Sequence, residues 1–197
     1  MFKRVATITL FVLLTASYAL AGSITDEVKK TVDEVVRIVT DKGLKNKESE
    51  RRKELKKAIS TIFDYREMAK RSLGRHWNEH TPAEKNQFVS LFADLLENSY
   101  AGKIESYNNE KITYVNESTD DGYSEVRSKI LTPTHDEYSI DYQLINENGK
   151  WMVYDIDIEG VSLVSNYRTQ FNKIISEQGY GELVKKLRMK SEELKIK

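Results

Sequence analysis

Three acidic residues, Asp155, Asp157 and Glu159, are the side chains best spaced for chemistry in this sequence. At positions i, i+2 and i+4 of a strand they would share one face, where two carboxylates can serve as general acid and general base. No histidine adjoins them in sequence, and no loop has the spacing of a calcium motif, which needs about six to eight oxygen ligands. We therefore favour a solvated or ion-paired strand face and predict no catalytic residue.

Two histidines, His76 and His80, are spaced so that one helical face could present both to a zinc ion. They lie between Gly74 and Thr81, where a glycine and a helix-capping threonine disfavour a continuous helix. The sequence contains no cysteine. It also lacks a nucleophile elbow, a P-loop and a dinucleotide-binding pattern. We predict no metal site and no cofactor.

The acidic residues belong to a predicted strand that runs directly into a helix, over residues 151–171. Alternation predicts that the other face of the strand carries Met152, Tyr154, Ile156 and Ile158. Gly160 ends the alternation, and Ser162 can cap the helix that follows. Val164, Tyr167 and Phe171 then recur at steps of three and four residues, so this helix should fold back over the sheet.

Four helices are predicted before the strands, and the sequence switches from helical to strand periodicity near residue 108. The first two cover residues 24–40 and 47–62, the third follows Asp64, and the longest covers residues 82–107. Thr81, Pro82 and Glu84 form a capping box that begins the longest helix. Its apolar face contains Phe88, Leu91, Phe92, Leu95, Leu96, Tyr100, Ile104 and Tyr107.

Four strands are predicted next, at residues 111–116, 123–132, 137–145 and 150–158, and a last helix at 181–194. The connections are short, and Asn148-Gly149 is a strong hairpin signal, so the sheet should be an antiparallel meander. Tyr138, Ile140, Tyr142 and Leu144 should face the helices. The predicted fold class is α+β, with several helices on one face of a curved four-stranded antiparallel meander that encloses an apolar pocket.

The N-terminus has the pattern of a secretory signal peptide. Lys3 and Arg4 precede an apolar run that is too short to cross a bilayer, and Ala19-Leu20-Ala21 is a small-x-small cleavage pattern. We predict a signal peptide at residues 1–21, cleaved after about Ala21, and a single mature domain at residues 22–197. The formal net charge is zero, which argues against nucleic acid as a partner.

Several short motifs together resemble the MlaC family of periplasmic phospholipid-binding proteins, also called toluene-tolerance auxiliary proteins. The first is residues 63–69, FDYREMA, followed by Leu73-Gly74 and Trp77. The most specific part is residues 154–171, which include Ile158-Glu159-Gly160-Val161-Ser162 and Asn166-Tyr167-Arg168. The similarity extends from about residue 24 to residue 189.

The resemblance implies a sheet related to the nuclear-transport-factor-2-like roll. It also implies a periplasmic carrier that binds the acyl chains of a phospholipid and preserves the lipid asymmetry of the outer membrane. The implied partners are phospholipid, an outer-membrane lipoprotein–porin complex and an inner-membrane ABC transporter with an MCE-domain protein, and the implied protein is not an enzyme. We expect the lipid pocket to be lined by residues among Met68, Phe88, Phe92, Leu95, Tyr100, Ile140, Tyr142, Val164, Tyr167 and Phe171.

Two alternatives stay open at this point. One is an enzyme on a roll-type fold that uses strand carboxylates such as Asp155 or Asp157 in a polar cleft. The other is an envelope adaptor that binds proteins through the helix containing Lys185-Lys186-Leu187-Arg188 and has a filled core. The two differ from a carrier in what they require of the interior, because only the carrier needs an apolar cavity.

Overall fold

The computed structural model describes residues 23–196, so the predicted signal peptide lies outside the described residues. Its helices are α1 (Ile24–Thr40), α2 (Glu48–Ile59), α3 (Tyr65–Leu73), α4 (Pro82–Glu105), α5 (Leu163–Gln178) and α6 (Tyr180–Ile196). Its strands are β1 (Lys111–Asp120), β2 (Tyr123–Leu131), β3 (Glu137–Glu147), β4 (Lys150–Ile158) and β5 (Val161–Ser162). Within this part of the chain, no helix is both long enough and apolar enough to cross a membrane.

Helices α3 and α4 begin at capping residues that the sequence indicates. The Thr81 hydroxyl accepts from the Glu84 amide while the Glu84 carboxylate accepts from the Thr81 amide, and Pro82 occupies the first turn of α4. Asp64 accepts hydrogen bonds from the amides of Arg66 and Glu67 at the start of α3. A 3₁₀ turn, Gly74–Glu79, follows α3, so the two histidines do not share one α-helix.

The strands form one antiparallel sheet in the order β1-β2-β3-β4-β5, which confirms the α+β meander with one strand more than predicted. Asn148 and Gly149 both have positive φ in the β3–β4 turn, as the Asn-Gly signal predicts. Glu159 and Gly160 have positive φ as well, at 51° and 75°, and form a second tight hairpin turn. This turn produces β5, a two-residue strand that pairs with Asp157 and Ile158 before α5 begins.

Strand β4 contains a bulge that interrupts the predicted alternation. Leu144 pairs with Val153 and Gln143 pairs with Asp155, which leaves Tyr154 as an extra residue. Val153 is fully buried on the core side, whereas the predicted alternation would place it on the face of the acidic residues, so that alternation is wrong at this point of the strand. The Val153 backbone bonds instead to the segment before α3, donating to the Ile62 carbonyl at 2.7 Å and accepting from the Asp64 amide at 2.9 Å.

The apolar side chains divide into three clusters rather than one core. The helical cluster joins α3, α4, α5 and α6, and contains Met68, Leu73, Trp77, Phe88, Phe92, Leu95, Leu96, Val164, Phe171, Leu183 and Leu187. The sheet cluster joins the start of α1 to Ile62 and the sheet, and includes Val28, Val126, Tyr142, Leu144 and Val153. A third cluster joins the end of α1 to α2 through Ile38, Leu55 and Ala58. Helix α4 contributes to two of these clusters, because its apolar stripe is longer than one cluster can cover.

Candidate functional site

A cavity of about 830 Å³ lies among the three clusters and is partly open to solvent. Its walls come from α1, α2, α4 and the inner face of the sheet, and its lining is predominantly apolar. The volume is near the upper end of the range of about 300–1,000 Å³ that is usual for small-molecule pockets. The cavity can therefore hold a ligand with a large apolar part.

The floor of the cavity is built by strand pairing. Ile112 on β1 lies opposite Ile130 on β2, which lies opposite Tyr138 on β3. In the next rows Ile140 pairs with Ile158, and Tyr142 pairs with Ile156. All of these side chains line the cavity, because partners in an antiparallel ladder point to the same face. Because the bulge adds one residue at Tyr154, Ile156 and Ile158 lie on the same face of the sheet as Val153.

Helix α1 supplies a wall of valines. Val32, Val35, Val36 and Val39 recur at steps of three or four residues, and all four line the cavity. They are half-buried, whereas Val28 and Ile38 on the same helix are fully buried in clusters. Since a fully packed face would bury all of them equally, the half-buried valines mark where the helix meets the cavity.

Helices α2 and α4 close the opposite side through both apolar and charged residues. Leu55 and Ile59 of α2 line the cavity, as do Tyr100, Ala101 and Ile104 of α4. The Lys56 ammonium lies 2.9 Å from Glu97 and 3.4 Å from Asp94, which joins the two helices beside the cavity. The pKa of Lys56 is raised, chiefly by its hydrogen bond to Glu97.

The raised pKa values of tyrosines in the cavity wall indicate an environment of low dielectric constant. Burial raises the pKa of Tyr142 to about 12. Burial also raises the pKa of Tyr65, Tyr100 and Tyr138, which all line the cavity. Burial disfavours the phenolate, so these hydroxyls stay protonated even where the pH exceeds the ordinary tyrosine pKa of about 10. These tyrosines therefore offer neutral hydrogen-bond donors to a ligand, beside the charged side chains that α2 and α4 contribute to the lining.

Four of the ten predicted pocket residues line this cavity: Met68, Tyr100, Ile140 and Tyr142. Phe88, Phe92, Leu95, Val164 and Phe171 instead lie in the helical cluster, and Tyr167 packs half-buried against it. The ring centroids of Phe92 lie 5.6 Å from Phe171 and 5.3 Å from Tyr167, both in edge-to-face contacts. The structure thus places these six in packed core, because α5 folds onto α3 and α4 rather than over the sheet face.

Several cavity residues were not among those predicted. They are aliphatic: the α1 valines and the sheet isoleucines Ile112, Ile130, Ile156 and Ile158. The i, i+3, i+4 spacing of the valines was a usable signal, since it marks an apolar helix face. Periodicity alone does not tell whether that face meets packed core or open space.

The three acidic residues do not form a catalytic pair. Asp155 is buried and accepts from the Ser162 hydroxyl at 2.5 Å and from the Val164 amide at 3.0 Å, so the prediction of a solvated or ion-paired carboxylate is wrong for it. Asp157 accepts from the Gln143 amide group at 3.2 Å. Glu159 lines the cavity, but its carboxylate accepts a short hydrogen bond from the Ser139 amide.

His76 and His80 do not line the cavity and contact other side chains. The His76 ring contacts Glu79 at 3.2 Å and Asn172 at 3.1 Å, and the His80 ring stacks on Tyr180 with centroids 3.7 Å apart. Among the described residues, no group of three or more His, Asp or Glu side chains is arranged to hold a metal ion.

Comparison with known proteins identifies a matching family and two relatives whose names agree with that family. The family described as MlaC protein matches residues 29–189. The intermembrane phospholipid transport system binding protein MlaC of Haemophilus influenzae is 26% identical over 120 residues, which are 58% of this chain and 56% of that protein. The toluene tolerance protein ttg2D of Pseudomonas putida is 28% identical over 100 residues, 50% of this chain and 46% of that protein. The matched segment thus spans about half the length of these two relatives.

A solved structure is similar over almost its whole length. It is the phospholipid-binding protein from Ralstonia solanacearum in complex with a phospholipid, with 28% identity and a TM-score of 0.80. The superposition covers 88% of this chain and 99% of that chain. A chain with this fold therefore accommodates a phospholipid.

Proposed function

This chain belongs to the MlaC family, and we propose that it carries a phospholipid whose acyl chains occupy the cavity between α1, α2, α4 and the sheet. The observation that carries the proposal is the cavity itself, about 830 Å³ in volume and lined mainly by aliphatic and tyrosine side chains. The similar structure from Ralstonia solanacearum contains a phospholipid, which supports the same ligand class here.

The physical need for such a cavity follows from the hydrophobic effect. Two acyl chains contain about 28 methylenes, and exposing them to water costs on the order of 20 kcal/mol at ~0.8 kcal/mol each. A single lipid therefore crosses an aqueous space only if its tails are covered. The valines of α1 and the isoleucines of the sheet provide that cover without requiring a buried charge.

We further propose that transport takes place in the periplasm, after removal of residues 1–21 and release of one mature domain from Gly22. The donor and acceptor in this proposal are an outer-membrane lipoprotein–porin complex and an inner-membrane ABC transporter with an MCE-domain protein. Carriage between them would preserve outer-membrane lipid asymmetry. The names of the relatives support this setting, since they refer to intermembrane phospholipid transport and to toluene tolerance.

The two alternatives fit the structure less well. An enzyme using Asp155 or Asp157 would need these carboxylates in a polar cleft, but neither lines the cavity, and Asp155 is bonded to Ser162 and Val164. An adaptor was expected to have a filled core. The open cavity disagrees with that, and Leu187 of the basic helix is itself buried in the helical cluster.

Native mass spectrometry tests the proposal directly. Protein purified from the bacterial envelope should show an added mass equal to one diacyl phospholipid, and delipidated protein should regain that mass when it is mixed with phosphatidylglycerol in detergent micelles. Delipidated protein that keeps its circular dichroism spectrum but takes up no phospholipid would exclude the carrier function.

A further inference from the structure

The cavity ends along α4 at a definite residue. Leu96, Tyr100 and Ile104 line it at steps of four residues, over roughly 12 Å of helix at about 1.5 Å per residue. One turn before Leu96 the same face of α4 carries Phe92, which is fully buried in the helical cluster and does not line the cavity. The open space therefore stops at Leu96, and packed core continues behind it.

The floor of the cavity also ends within the sheet. Tyr142 and Ile156 pair with each other and line the cavity. The next inward-facing pair, Leu144 and Val153, is fully buried in the sheet cluster and does not line it. Phe63 pairs with Val153, lines the cavity and packs against both the sheet cluster and the helical cluster. The two clusters therefore meet at this end of the cavity.

Three side chains, Phe63, Met68 and Leu96, separate the cavity from the packed clusters, and we call them the end wall. Met68 is 1% exposed and Leu96 is 6% exposed, although both line the cavity. Both also belong to the helical cluster, so one side of each faces open space and the other side faces packed core. Because protein interiors are close-packed, the end wall cannot recede to admit a longer ligand.

The cavity opens to solvent at other parts of its lining. The exposed lining residues are Lys53, Lys56, Lys103, Ser106 and Glu159, and none of them belongs to the end wall. The phosphate of a bound phospholipid stays in water, because burial of an unpaired charge is strongly unfavourable. The acyl chains are then the part of the ligand that extends toward the end wall.

We propose that the end wall limits the length of the acyl chains that this protein holds. The inference rests on the carrier function proposed above and narrows its ligand to phospholipids whose chains do not exceed a limiting length. A methylene that cannot enter the cavity stays in water and weakens binding about fourfold, which corresponds to ~0.8 kcal/mol. Below the limit, chain length should have little effect on exchange with micelles, because a micelle covers a methylene as the cavity does.

Native mass spectrometry with a chain-length series tests the end wall. Delipidated protein is mixed with detergent micelles that contain equal amounts of phosphatidylglycerols with paired lauroyl, myristoyl, palmitoyl, stearoyl or arachidoyl chains. The unmodified protein should bind the species up to the limiting length about equally. It should bind the next longer species at least tenfold less, since two excluded methylenes at about fourfold each already exceed tenfold.

Two substitutions of Leu96 should move the limit in opposite directions. Leu96→Ala lengthens the cavity, because the surroundings of a deleted side chain relax only partly, and should raise binding of the first excluded species about tenfold. Leu96→Phe extends a ring into the open space and should lower binding of the longest accepted species about tenfold. Leu95→Ala is the matched control, because Leu95 is also 6% exposed and packs in the helical cluster without lining the cavity.

Each result supports or overturns the end wall, with folding of every variant checked by circular dichroism. Opposite shifts for the two Leu96 variants and no shift for Leu95→Ala support it. An unmodified protein that binds all chain lengths equally, or a limit that does not move in Leu96→Phe, overturns it and leaves the carrier function intact. A shift in Leu95→Ala as large as that in Leu96→Ala assigns the effect to loosened packing and also overturns it. An unmodified protein that binds no member of the series overturns the carrier function as well.

Discussion

The carboxylate of Asp155 accepts a hydrogen bond from the backbone amide of Val164 at 3.0 Å and thereby ties β4 to the first turn of α5. The same carboxylate accepts from the Ser162 hydroxyl, and the Ser162 oxygen accepts from the Ser165 amide at 2.9 Å. Helix N-termini have unpaired amides that need such acceptors. A residue that resembles a catalytic acid in the sequence therefore serves as part of a helix cap.

Asp155→Ala should destabilise the protein by about 2 kcal/mol, because it leaves the Val164 amide and the Ser162 hydroxyl without their acceptor. The free energy of unfolding from urea titrations measures the effect. Asp155→Asn should recover part of the loss, since an amide oxygen can still accept one bond. Equal stability of Asp155→Ala and the unmodified protein would show that the cap contributes nothing.

Asp157 should make the stability of the protein depend on pH. Burial raises the pKa of Asp157, and the nearby Asp155 and Asp141 carboxylates raise it further. The folded state thus binds this proton more tightly than the unfolded state. Its stabilising contribution is present below the ordinary pKa of 3.8 and is lost as the pH rises through the raised value.

Asp157→Asn removes this titration. Relative to the unmodified protein, the variant should gain stability as the pH rises from about 3 to about 6. Urea titrations at several pH values provide the measurement. A stability difference that is constant across that range would contradict the raised pKa.

Filling the cavity should prevent lipid binding without unfolding the protein. Ala101 of α4 is buried and lines the cavity, so Ala101→Trp directs an indole into the space for the acyl chains. Gly102→Trp is the matched control, because a side chain at Gly102 meets no atom within 4 Å. Native mass spectrometry should find lipid on the control and little on Ala101→Trp. Equal lipid loads on the two folded variants would place the ligand elsewhere.

The helical cluster should govern stability rather than lipid binding. Phe92 is fully buried between Phe88, Tyr167 and Phe171, and Phe92→Leu leaves part of that space empty. We expect a loss of about 1–2 kcal/mol, less than the about 3–5 kcal/mol typical of Phe→Ala. Thermal denaturation followed by circular dichroism measures the loss. The lipid load at low temperature should stay unchanged, and a large decrease would return Phe92 to the lipid site.

The sequence predicts local structure here better than it predicts the cavity. Helix α1 has the predicted bounds, and the capping residues Ser162 and Thr81 act as expected, because caps and periodicity depend on neighbours in the chain. The sequence did not predict the bulge at Tyr154. The bulge lies next to Val153, which pairs with Phe63 from about 90 residues away along the chain. Such long-range pairing leaves no local signal.

Only some of the cavity residues were predicted, because their identity also depends on the tertiary arrangement. Large aromatic side chains such as Phe88 and Phe171 indicate burial, but burial is satisfied equally by packed core and by a cavity wall. In this fold Phe88, Phe92 and Phe171 lie in the helical cluster, while valines, isoleucines and several tyrosines surround the space. Small branched side chains leave an open space where several elements meet. The position of this space follows from the tertiary arrangement and not from the local sequence.

Photo-crosslinking tests the central claim most directly. Delipidated protein would be loaded with a phosphatidylglycerol whose acyl chain contains a diazirine, irradiated, and digested for peptide mass spectrometry. Adducts should concentrate on cavity residues such as Val36, Ile140 and Ile156. Adducts concentrated on Phe92 and Phe171 of the helical cluster, or an absence of adducts on protein that retains the lipid, would contradict the assignment of this cavity to the acyl chains.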